Sequence, residues 1–264
     1  RRVPLAGRAA LTSEFTALLA GQSFLVQRSD LSQTRIDSFD ASAPLASGQV
    51  RLRILAFAFT ANNITYAVFG DTMHYWRFFP AADGWGCIPV WGFAVVEASA
   101  CDGIAVGEQV YGYWPMASHA VVQPASVSGH GFIDASAHRA ELPAVYNRYQ
   151  RVEETDAQRE GEVAVLRPLF ATAWLIADFM QEAGDFGART MLLSSASSKT
   201  AYATAFCLKR RAGATTRIVG ATSPPRRAFA SSLDVFDDVI AYDALASLPA
   251  NEPTLYIDFA GDAA

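Results

Sequence analysis

Short runs of β-branched and aromatic residues, separated by turn residues, pattern the first half of the chain from Thr34 to about Pro124. Several short runs at this rhythm are typical of an antiparallel sheet that closes on itself, so the pattern predicts a partly closed β-barrel. The predicted strands cover residues 34–39, 50–59, 90–98, 110–113 and 119–123.

The residues on either side of these strands are patterned differently. Apolar residues recur at helical spacing over 9–20, before Gly21, so an N-terminal extension over 1–33 is predicted to carry one short helix. Residues 125–162 are rich in glycine, serine and charge and show little apolar periodicity, which predicts an irregular excursion. We place this excursion inside a barrel domain that spans residues 34–165.

Strands and helices alternate along the second half of the chain. This alternation predicts a parallel sheet with helices on both faces, a doubly wound Rossmann-type domain over 166–264, and the whole chain is therefore an α/β protein. Such a sheet has about six strands, whereas the chain ends just after the fourth, so we expect the domain to be incomplete at its C-terminus. The predicted helices cover 167–183, 200–211 and 226–233, a helical turn covers 245–248, and the strands cover 191–194, 217–220, 239–242 and 254–259.

The composition excludes several kinds of protein. With 51% hydrophobic and 18% charged residues, the 264-residue chain has enough apolar surface for a core, which excludes wholesale disorder. The net charge is -5 and no basic run exceeds two arginines, so nucleic acid is not expected as a partner. The longest apolar-looking stretch, 191–208, is interrupted by serines and a lysine, so no membrane span is predicted.

The cysteines and the N-terminus bear on the cellular compartment that we expect for the protein. Cys87, Cys101 and Cys207 are odd in number and form no Cys-x-x-Cys pair, which does not favour a disulfide scaffold. The N-terminus lacks the apolar core of a signal peptide. We therefore expect reduced cysteines and a cytoplasmic protein.

The turn after the first predicted strand of the second half reads Ser194-Ser195-Ala196-Ser197-Ser198-Lys199-Thr200-Ala201. It resembles the cofactor-binding turn of the zinc-independent medium-chain dehydrogenases/reductases, in the branch of quinone reductases and enoyl reductases. That family's fingerprint, Ala-x-x-Gly-x-x-Gly, falls on Ser195, Ser198 and Ala201, which are small but include no glycine.

The resemblance implies a nicotinamide cofactor whose pyrophosphate is held at this turn. Backbone N–H groups at a helix start attract an anion, and hydroxyl and ammonium groups add further donors. A serine-rich helix start is equally typical of simple N-capping without a ligand, and this alternative stays open. The implied pyrophosphate-binding residues are Ser197, Ser198, Lys199 and Thr200.

The residues after the next two predicted strands indicate which nicotinamide cofactor the resemblance implies. NADPH-using members carry Ser-x-x-Lys after the second strand and a tyrosine after the third, and here Ser223-x-x-Arg226 and Tyr242 occupy those positions. The forked guanidinium of Arg226 is a suitable partner for a 2′-phosphate. No acidic residue follows the second strand to accept the ribose hydroxyls, which disfavours NAD. The alternative is an exposed basic pair, Arg226 and Arg227, with no ligand.

Segments of the barrel half extend the resemblance. Residues 88–97 and 106–112 resemble strands around the family's Gly-His-Glu and Val-Gly-Asp-x-Val motifs, which implies a GroES-like β-barrel domain. Trp91-Gly92-Phe93 departs from the first motif and removes the histidine and glutamate that zinc-dependent relatives use. With no cysteine pair to compensate, no metal is expected. Surface or loop positions are expected for His74, His119, His130 and His138.

Residues 61–66 resemble the Asn-Pro-x-Asp turn that lines the family's substrate cleft. Asn62 falls on the family asparagine, while Thr65 replaces the aspartate. The resemblance implies that Asn62, Asn63 and Tyr66 polarise a substrate carbonyl as negative charge develops on it. Enoyl reductases of this branch carry a tyrosine shortly after the glycine that matches Gly70, and here Tyr75 or Tyr66 would have to replace it. The alternative is a turn whose asparagines satisfy only their own backbone.

Two kinds of function stay open. The first is a zinc-free, NADPH-dependent reductase that transfers hydride to an activated C=C bond (enone or enoyl) or to a quinone, with a small-molecule substrate. The second is a non-catalytic binding or assembly protein that retains the reductase fold but has lost its cofactor, because the fingerprint glycines are absent. A different phosphate ligand at Lys199-Thr200 is a weaker variant. The sequence most resembles an uncharacterised bacterial and fungal subgroup, and family relatives commonly form homodimers.

Overall fold

The structure, a computed structural model, describes residues 20–152, 157–211, 213, 215–249 and 251–261. The chain divides into two compact units, Arg1–Val165 and Leu166–Ala264. The helix predicted over 9–20 lies outside the described residues except for Ala20, where the first strand begins.

The first unit is built on two antiparallel sheets. Its strands are β1 (Ala20–Gln27), β2 (Asp30–Asp40), β3 (Val50–Ala58), β4 (Trp85–Gly86), β5 (Pro89–Ser99), β6 (Gln109–Pro115), β7 (His119–Val122), β8 (Pro124–Ser128), β9 (Gly131–Asp134) and β10 (Arg148–Arg151). One sheet has the order β2-β1-β4, and the other has the order β7-β3-β5-β6-β10-β9-β8. Helix α1 (Ala61–Val68) follows β3.

Strand β3 shows how alternation makes the larger sheet two-sided. Val50 and Leu52 point to one face of the sheet and are fully buried. Arg53, which follows Leu52 and points to the other face, is exposed, as a period of two requires. Each such buried side chain contributes about 1.5 to 3 kcal/mol to the free energy of unfolding. The core that these strands enclose contains Val50, Leu52, Val90, Ala94, Val96, Ile104, Val110, Trp114, Val122, Phe132 and Tyr149.

Two predictions for the first unit are wrong. The segment 125–162 is not an irregular excursion, because most of β8 and all of β9 and β10 lie in it and extend the seven-stranded sheet. These strands have four or five residues each and carry no continuous apolar run, so the sequence shows neither an alternating nor a buried-strand pattern for them. The end of the predicted N-terminal extension is also strand, since β1 pairs with β2 from Ala20 to Gln27.

The second unit contains one parallel sheet with the order β13-β12-β11-β14. Its strands are β11 (Thr190–Leu193), β12 (Arg217–Thr222), β13 (Asp238–Ala241) and β14 (Thr254–Ile257); helices α3 (Lys199–Lys209) and α4 (Arg227–Ser232) and a 3-10 turn (Tyr242–Ser247) connect them. The chain runs outward from β11 to β13 and returns to the other side of β11 as β14. The predicted α/β class, with an antiparallel and a parallel sheet, is confirmed.

Helix α2 (Ala157–Glu182) is longer than the predicted helix over 167–183 and begins earlier in the chain. The sequence predicts a start at residue 167, but the helix begins ten residues earlier and holds Pro168 in its interior. Its stretch Gln158–Glu182 is long and apolar enough to cross a membrane by length and composition alone, a criterion that core helices of other proteins also meet. The prediction of no membrane span considered only 191–208 and did not take this stretch into account.

Candidate functional site

The turn between β11 and α3 retains a glycine-like conformation although it has no glycine. Ser195 has a φ of 47°, in the left-handed region that glycine favours. Ser198 is the N-cap of α3, and its Oγ accepts a hydrogen bond of 3.3 Å from the backbone N–H of Ala201. The N-capping alternative therefore describes Ser198 correctly, and its hydroxyl is committed to the helix.

Three other backbone N–H groups of this turn remain available for an anion. Those of Ser197, Lys199 and Thr200 make no hydrogen bond to any other described residue. Unpaired N–H groups at a helix start, together with the helix dipole, form a ready anion-binding site. The exposed Lys199 side chain adds a positive charge at the same end.

A glycine on the neighbouring strand brings the turn close to the sheet. A Cβ added to Gly220 in β12 would lie 2.7 Å from the Cβ of Ala196, closer than real Cβ contacts occur. The backbone N–H of Ala196 donates to the carbonyl of Ala221 at 2.9 Å. The close approach that a fingerprint glycine usually permits is here provided by Gly220 together with the small Ala196.

The structure brings Tyr242 to the same turn. Its hydroxyl accepts a hydrogen bond of 2.8 Å from the backbone N–H of Ser195, and its side chain is half-exposed. Beside it, the hydroxyl of Thr222 donates to that of Ser197 at 3.4 Å. Residues that follow three successive strands therefore meet at the carboxyl edge of the sheet, where ligands bind in folds of this kind.

The two arginines after β12 differ in their surroundings. The Arg227 Nε donates to the carbonyl of Val239 at 2.8 Å, so this side chain ties α4 to β13. The Arg226 side chain is exposed and makes no hydrogen bond or ion pair with any described residue. Ser223 begins the 3-10 turn that carries Arg226, and its hydroxyl makes no cap bond. Arg226 thus has a free guanidinium, whereas Arg227 has a structural role.

A hydrogen-bonded pair that sequence reasoning does not identify joins the carboxyl ends of β11 and β14. Ser194, fully buried after β11, donates to a carboxylate oxygen of Asp258 after β14 at 2.7 Å and accepts from the N–H of Phe259 at 2.6 Å. Hydrogen bonds from Ser194 and from the N–H of Ala260 lower the pKa of Asp258. The pair fixes the loop after β14 to the turn after β11. Asp258 falls inside the predicted strand over 254–259, and no local pattern of the sequence distinguishes it.

In the first unit, the predicted turn over 61–66 is the beginning of helix α1. Asn63 is buried in it: its side-chain oxygen accepts from the N–H of Thr60 at 2.8 Å, and its amide donates to the carbonyl of Pro89 at 2.9 Å. The alternative that the asparagines satisfy only their own turn therefore fits the side-chain oxygen of Asn63, but not its amide, which bonds the distant carbonyl of Pro89. Asn62 is only partly buried.

Tyr66 lies one helical turn after Asn62 and is a buried member of an aromatic cluster that also contains Tyr75, Phe78, Phe79, Trp91, Tyr113 and Tyr146. The indole Nε1 of Trp91 donates to the Tyr66 hydroxyl at 3.4 Å. Burial raises the pKa of Tyr66, while hydrogen bonds from Trp91 and Asn62 oppose that rise. Asn62 and Tyr66 therefore lie together, with Trp91 as a third member of the group.

The remaining phenols of this cluster are Tyr75, Tyr113 and Tyr146. The hydroxyls of Tyr75 and Tyr146 are 3.2 Å apart, and that of Tyr113 is buried without a hydrogen-bond partner in the described chain. Burial raises the pKa of Tyr113 and of Tyr146 well above the usual range. Both groups therefore stay neutral phenols at ordinary pH.

The histidines and acidic residues form no evident metal centre. Within the described part of the chain, no group of three or more His, Cys, Asp or Glu side chains is arranged to hold a metal ion. His119 lies in β7 and is largely buried beside Ser118 and Glu97, so its predicted surface or loop position is wrong.

Comparison with known proteins adds a family and a fold. A family described as a protein of unknown function (DUF2855) matches residues 57–264. The chain belongs to this family. No curated protein sequence matches it.

Solved structures similar to this DUF2855 chain include proteins named as quinone reductases or oxidoreductases. A proposed NADPH:quinone reductase of Bacillus thuringiensis is 12% identical with a TM-score of 0.53, over 88% of this chain and 60% of that protein. A quinone oxidoreductase of Coxiella burnetii is 12% identical with a TM-score of 0.52, over 92% and 69%. TarJ of S. aureus, solved with NADPH, is 12% identical with a TM-score of 0.50, over 88% and 62%. Identity this low shows the fold alone.

The chain spans about 60% of the length of the first of these proteins. In this DUF2855 chain, the predicted site residues form two groups, one in each unit. Ser197, Lys199, Thr200 and Tyr242 gather at one edge of the parallel sheet, and Asn62 and Tyr66 stand beside Trp91 in the first unit.

Proposed function

We propose that this protein is an NADPH-dependent reductase that transfers hydride to an activated C=C bond or to a quinone. In this proposal the first unit is a GroES-like barrel that supplies substrate-binding groups, and the second is a Rossmann-type domain that supplies nucleotide-binding groups. The names and the shared fold of the similar structures support the oxidoreductase class. Localisation in the cytoplasm, homodimerisation and activity without zinc are parts of the same proposal.

The single observation that carries the proposal is the contrast between Arg226 and Arg227. Arg227 is bonded to the carbonyl of Val239, whereas Arg226 is exposed and makes no bond within the described chain, so of the two guanidinium groups Arg226 is the one available to a ligand. A guanidinium offers a forked pair of donors that matches a phosphate. Because no acidic residue follows β12, the site favours a 2′-phosphate over free ribose hydroxyls.

The turn after β11 fits a pyrophosphate by two criteria. Ser195 keeps the left-handed backbone that a glycine would adopt, so the chain still turns sharply at this point. The N–H groups of Ser197, Lys199 and Thr200 are free of other described partners. These groups would hold the pyrophosphate, while Ser223 and Arg226 would hold the 2′-phosphate; Ser198 contributes by capping α3, and Tyr242 by fixing Ser195.

Bound NADPH would supply the hydride, and the protein supplies orientation and electrostatic stabilisation. Asn62 and Tyr66 would donate hydrogen bonds to the substrate carbonyl, where negative charge develops as hydride arrives. Asn63 would act only indirectly, by holding α1 against β5 through the carbonyl of Pro89.

The test is turnover by the full natural chain. NADPH consumption would be followed by absorbance with a panel of enones, enoyl thioesters and quinones. At least one acceptor is expected to be reduced, and Tyr66→Phe is expected to lower kcat about 100-fold. Tyr146→Phe, which removes a phenol from the same cluster, is the matched control and should keep kcat near the wild-type value. Equal kcat values for the two variants would contradict the assignment of Tyr66.

A second function, a binding or assembly protein without a cofactor, is favoured by one observation. The backbone N–H of Ser195, at the first fingerprint position, already donates its hydrogen bond to the Tyr242 hydroxyl. This N–H is therefore not free to bind a pyrophosphate. If the wild-type protein binds neither nicotinamide nucleotide, this second function replaces the first.

A further inference from the structure

A cavity of about 450 Å³ opens in the first unit, and its walls contain none of the residues to which the proposed function gives a role. Cavities of roughly 300 to 1,000 Å³ with mainly apolar walls and a few polar groups are typical of small-molecule sites. The apolar part of the wall includes Leu25, Phe39, Phe78, Phe79 and Val122.

The polar part of the wall includes a buried ion pair between Asp134, the last residue of β9, and Arg139. Both side chains are only 2% exposed, and Arg139 Nε lies 3.2 Å from Asp134 Oδ2. Two aromatic rings cover the guanidinium, whose carbon lies 4.7 Å from the ring centre of Phe79 and 5.6 Å from that of Phe78. Packing therefore fixes the guanidinium before any ligand arrives.

The hydrogen bonds of this ion pair are incomplete within the described residues. Asp134 Oδ1 accepts three, from the N–H of Gln123 and from the N–H and hydroxyl of Ser136. In contrast, Asp134 Oδ2 accepts none there, and its contact with Arg139 Nε lacks the angle of a hydrogen bond. Arg139 donates only through Nη1, to the Tyr149 hydroxyl at 3.0 Å, so its Nη2 has no described acceptor.

These unpaired atoms indicate a ligand. A buried ion pair stabilises a fold only where its remaining protons and lone pairs are hydrogen-bonded. The cavity meets the pair on the side where Nη2 of Arg139 lacks an acceptor and Oδ2 of Asp134 lacks a donor. A bound molecule that supplies both would complete the hydrogen bonding of the pair.

The charges of the wall select the kind of molecule. Asp134 balances the charge of Arg139, and the other carboxylate of the wall, Asp37, is paired with Arg35 at 2.8 Å. An anionic ligand would place a further negative charge beside Asp134 in a buried site, which is costly. A neutral carboxamide fits instead, because its oxygen accepts from Nη2 and its N–H donates to Oδ2.

We infer that this cavity is a binding site for a small aromatic carboxamide. The amide group pairs with Arg139 and Asp134, and the ring of the ligand packs among the phenylalanines of the wall. The inference does not depend on the proposed function, since it needs no nicotinamide nucleotide and none of the residues assigned to hydride transfer.

The first experiment compares three probes of nearly the same shape on the wild type. Benzamide, benzoate and acetophenone would be titrated into the full natural chain, labelled with 15N and 13C, and binding followed by NMR at the Arg139 Nε–H signal. Benzamide is expected to bind at least about tenfold more tightly than either other probe, because benzoate adds a charge and acetophenone has no N–H for Oδ2. If either probe binds as tightly as benzamide, or if no probe at millimolar concentration shifts the Arg139 signal, the inference is overturned.

Substitutions in the wall locate the site. Arg139→Met removes the donors and should weaken benzamide binding at least about tenfold, the strength of a hydrogen bond to a charged group. A folded Arg139→Met variant with wild-type affinity for benzamide would contradict the assignment.

Ala82→Phe covers the case in which Arg139→Met does not fold. Ala82 is exposed and lines the cavity, so the added ring fills the space without burying a polar group, and benzamide binding should be lost. Ala105→Phe, at an exposed loop position outside the cavity wall, is the matched control and should keep the wild-type affinity. Equal affinities of these two variants for benzamide would place the ligand elsewhere and overturn the inference.

Discussion

The hydroxyl of Tyr242 accepts a hydrogen bond of 2.8 Å from the backbone N–H of Ser195, joining the residue after the third strand of the parallel sheet to the turn after its first. This bond holds the turn in the conformation that a glycine-containing fingerprint would adopt by itself. The turn therefore depends on neighbouring side chains and strands for its shape. Two substitutions test this dependence.

Replacing Ser195 by glycine is expected to stabilise the second unit. The φ of 47° at Ser195 costs about 1 to 2 kcal/mol for a residue with a Cβ, which exceeds the added chain entropy of glycine, about 0.5 to 1 kcal/mol. Urea unfolding should show a gain of about 0.5 kcal/mol in the free energy of unfolding. Ser197→Gly is the control, since Ser197 has no positive φ, and it should lose stability. A loss of the same size in both variants would contradict this account of the turn.

Replacing Gly220 by alanine is expected to destabilise the second unit. The new Cβ would lie 2.7 Å from Ala196 and 3.0 Å from the ring of Phe236, so the turn or the ring must move. Overpacking of this kind costs about 1 to 3 kcal/mol. Gly129→Ala, at a glycine with no heavy atom within 4 Å of its added Cβ, is the control and should change thermal stability little. A melting temperature for Gly220→Ala equal to that of the control would show that the close approach does not matter.

The ion pair between Asp185 and Arg211 predicts a pH dependence of stability. Burial raises the pKa of Asp185, but hydrogen bonds from Arg211 and Thr216 and the Arg211 charge outweigh it, so the net shift is downward. A lowered pKa in the folded state means that the stabilisation is present above the unfolded pKa of about 3.9 and is lost as the pH falls through the folded value.

Asp185→Asn should therefore lose about 1.5 to 3 kcal/mol of unfolding free energy at pH 7, the strength of hydrogen bonds to a charged group. Denaturant unfolding from pH 7 to 2 should show the gap between the wild type and Asp185→Asn closing below about pH 4. The exposed Asp243→Asn serves as the control and should show no such gap. A constant gap between wild type and Asp185→Asn across this range would exclude a role for the charge.

The parallel sheet could be predicted from the sequence because each of its elements carries its own signal. The residues of β11 are all buried, and a serine-rich start marks α3. Each of these features is local, so a short window of sequence is enough to recognise it. In contrast, β8, β9 and β10 are about as short as β11 but lack its continuous apolar run, and they depend on pairing with other strands.

The candidate site was only partly predictable for a related reason. The resemblance indicated Asn62, Tyr66 and Arg226 by their positions, and these assignments remain predictions. The Ser194 and Asp258 pair joins residues 64 positions apart, and Trp91 reaches Tyr66 only because β5 packs beside α1. Contacts of this kind depend on the tertiary fold, and a single sequence contains no local pattern for them. The hydrogen bond from Asn63 to the carbonyl of Pro89 has the same origin.

The most direct test of the central claim is isothermal titration of NADPH and NADH into the full natural chain, beside Arg226→Ala. Arg53→Ala, which removes an exposed positive charge from the first unit, is the matched control. Tighter binding of NADPH than of NADH is predicted, with Arg226→Ala weakening NADPH by about 1.5 to 3 kcal/mol, roughly 10- to 150-fold in Kd, and leaving NADH and the control unchanged. If folded wild-type protein binds neither nucleotide at millimolar concentration, or if Arg226→Ala binds NADPH as tightly as Arg53→Ala does, the claim is contradicted.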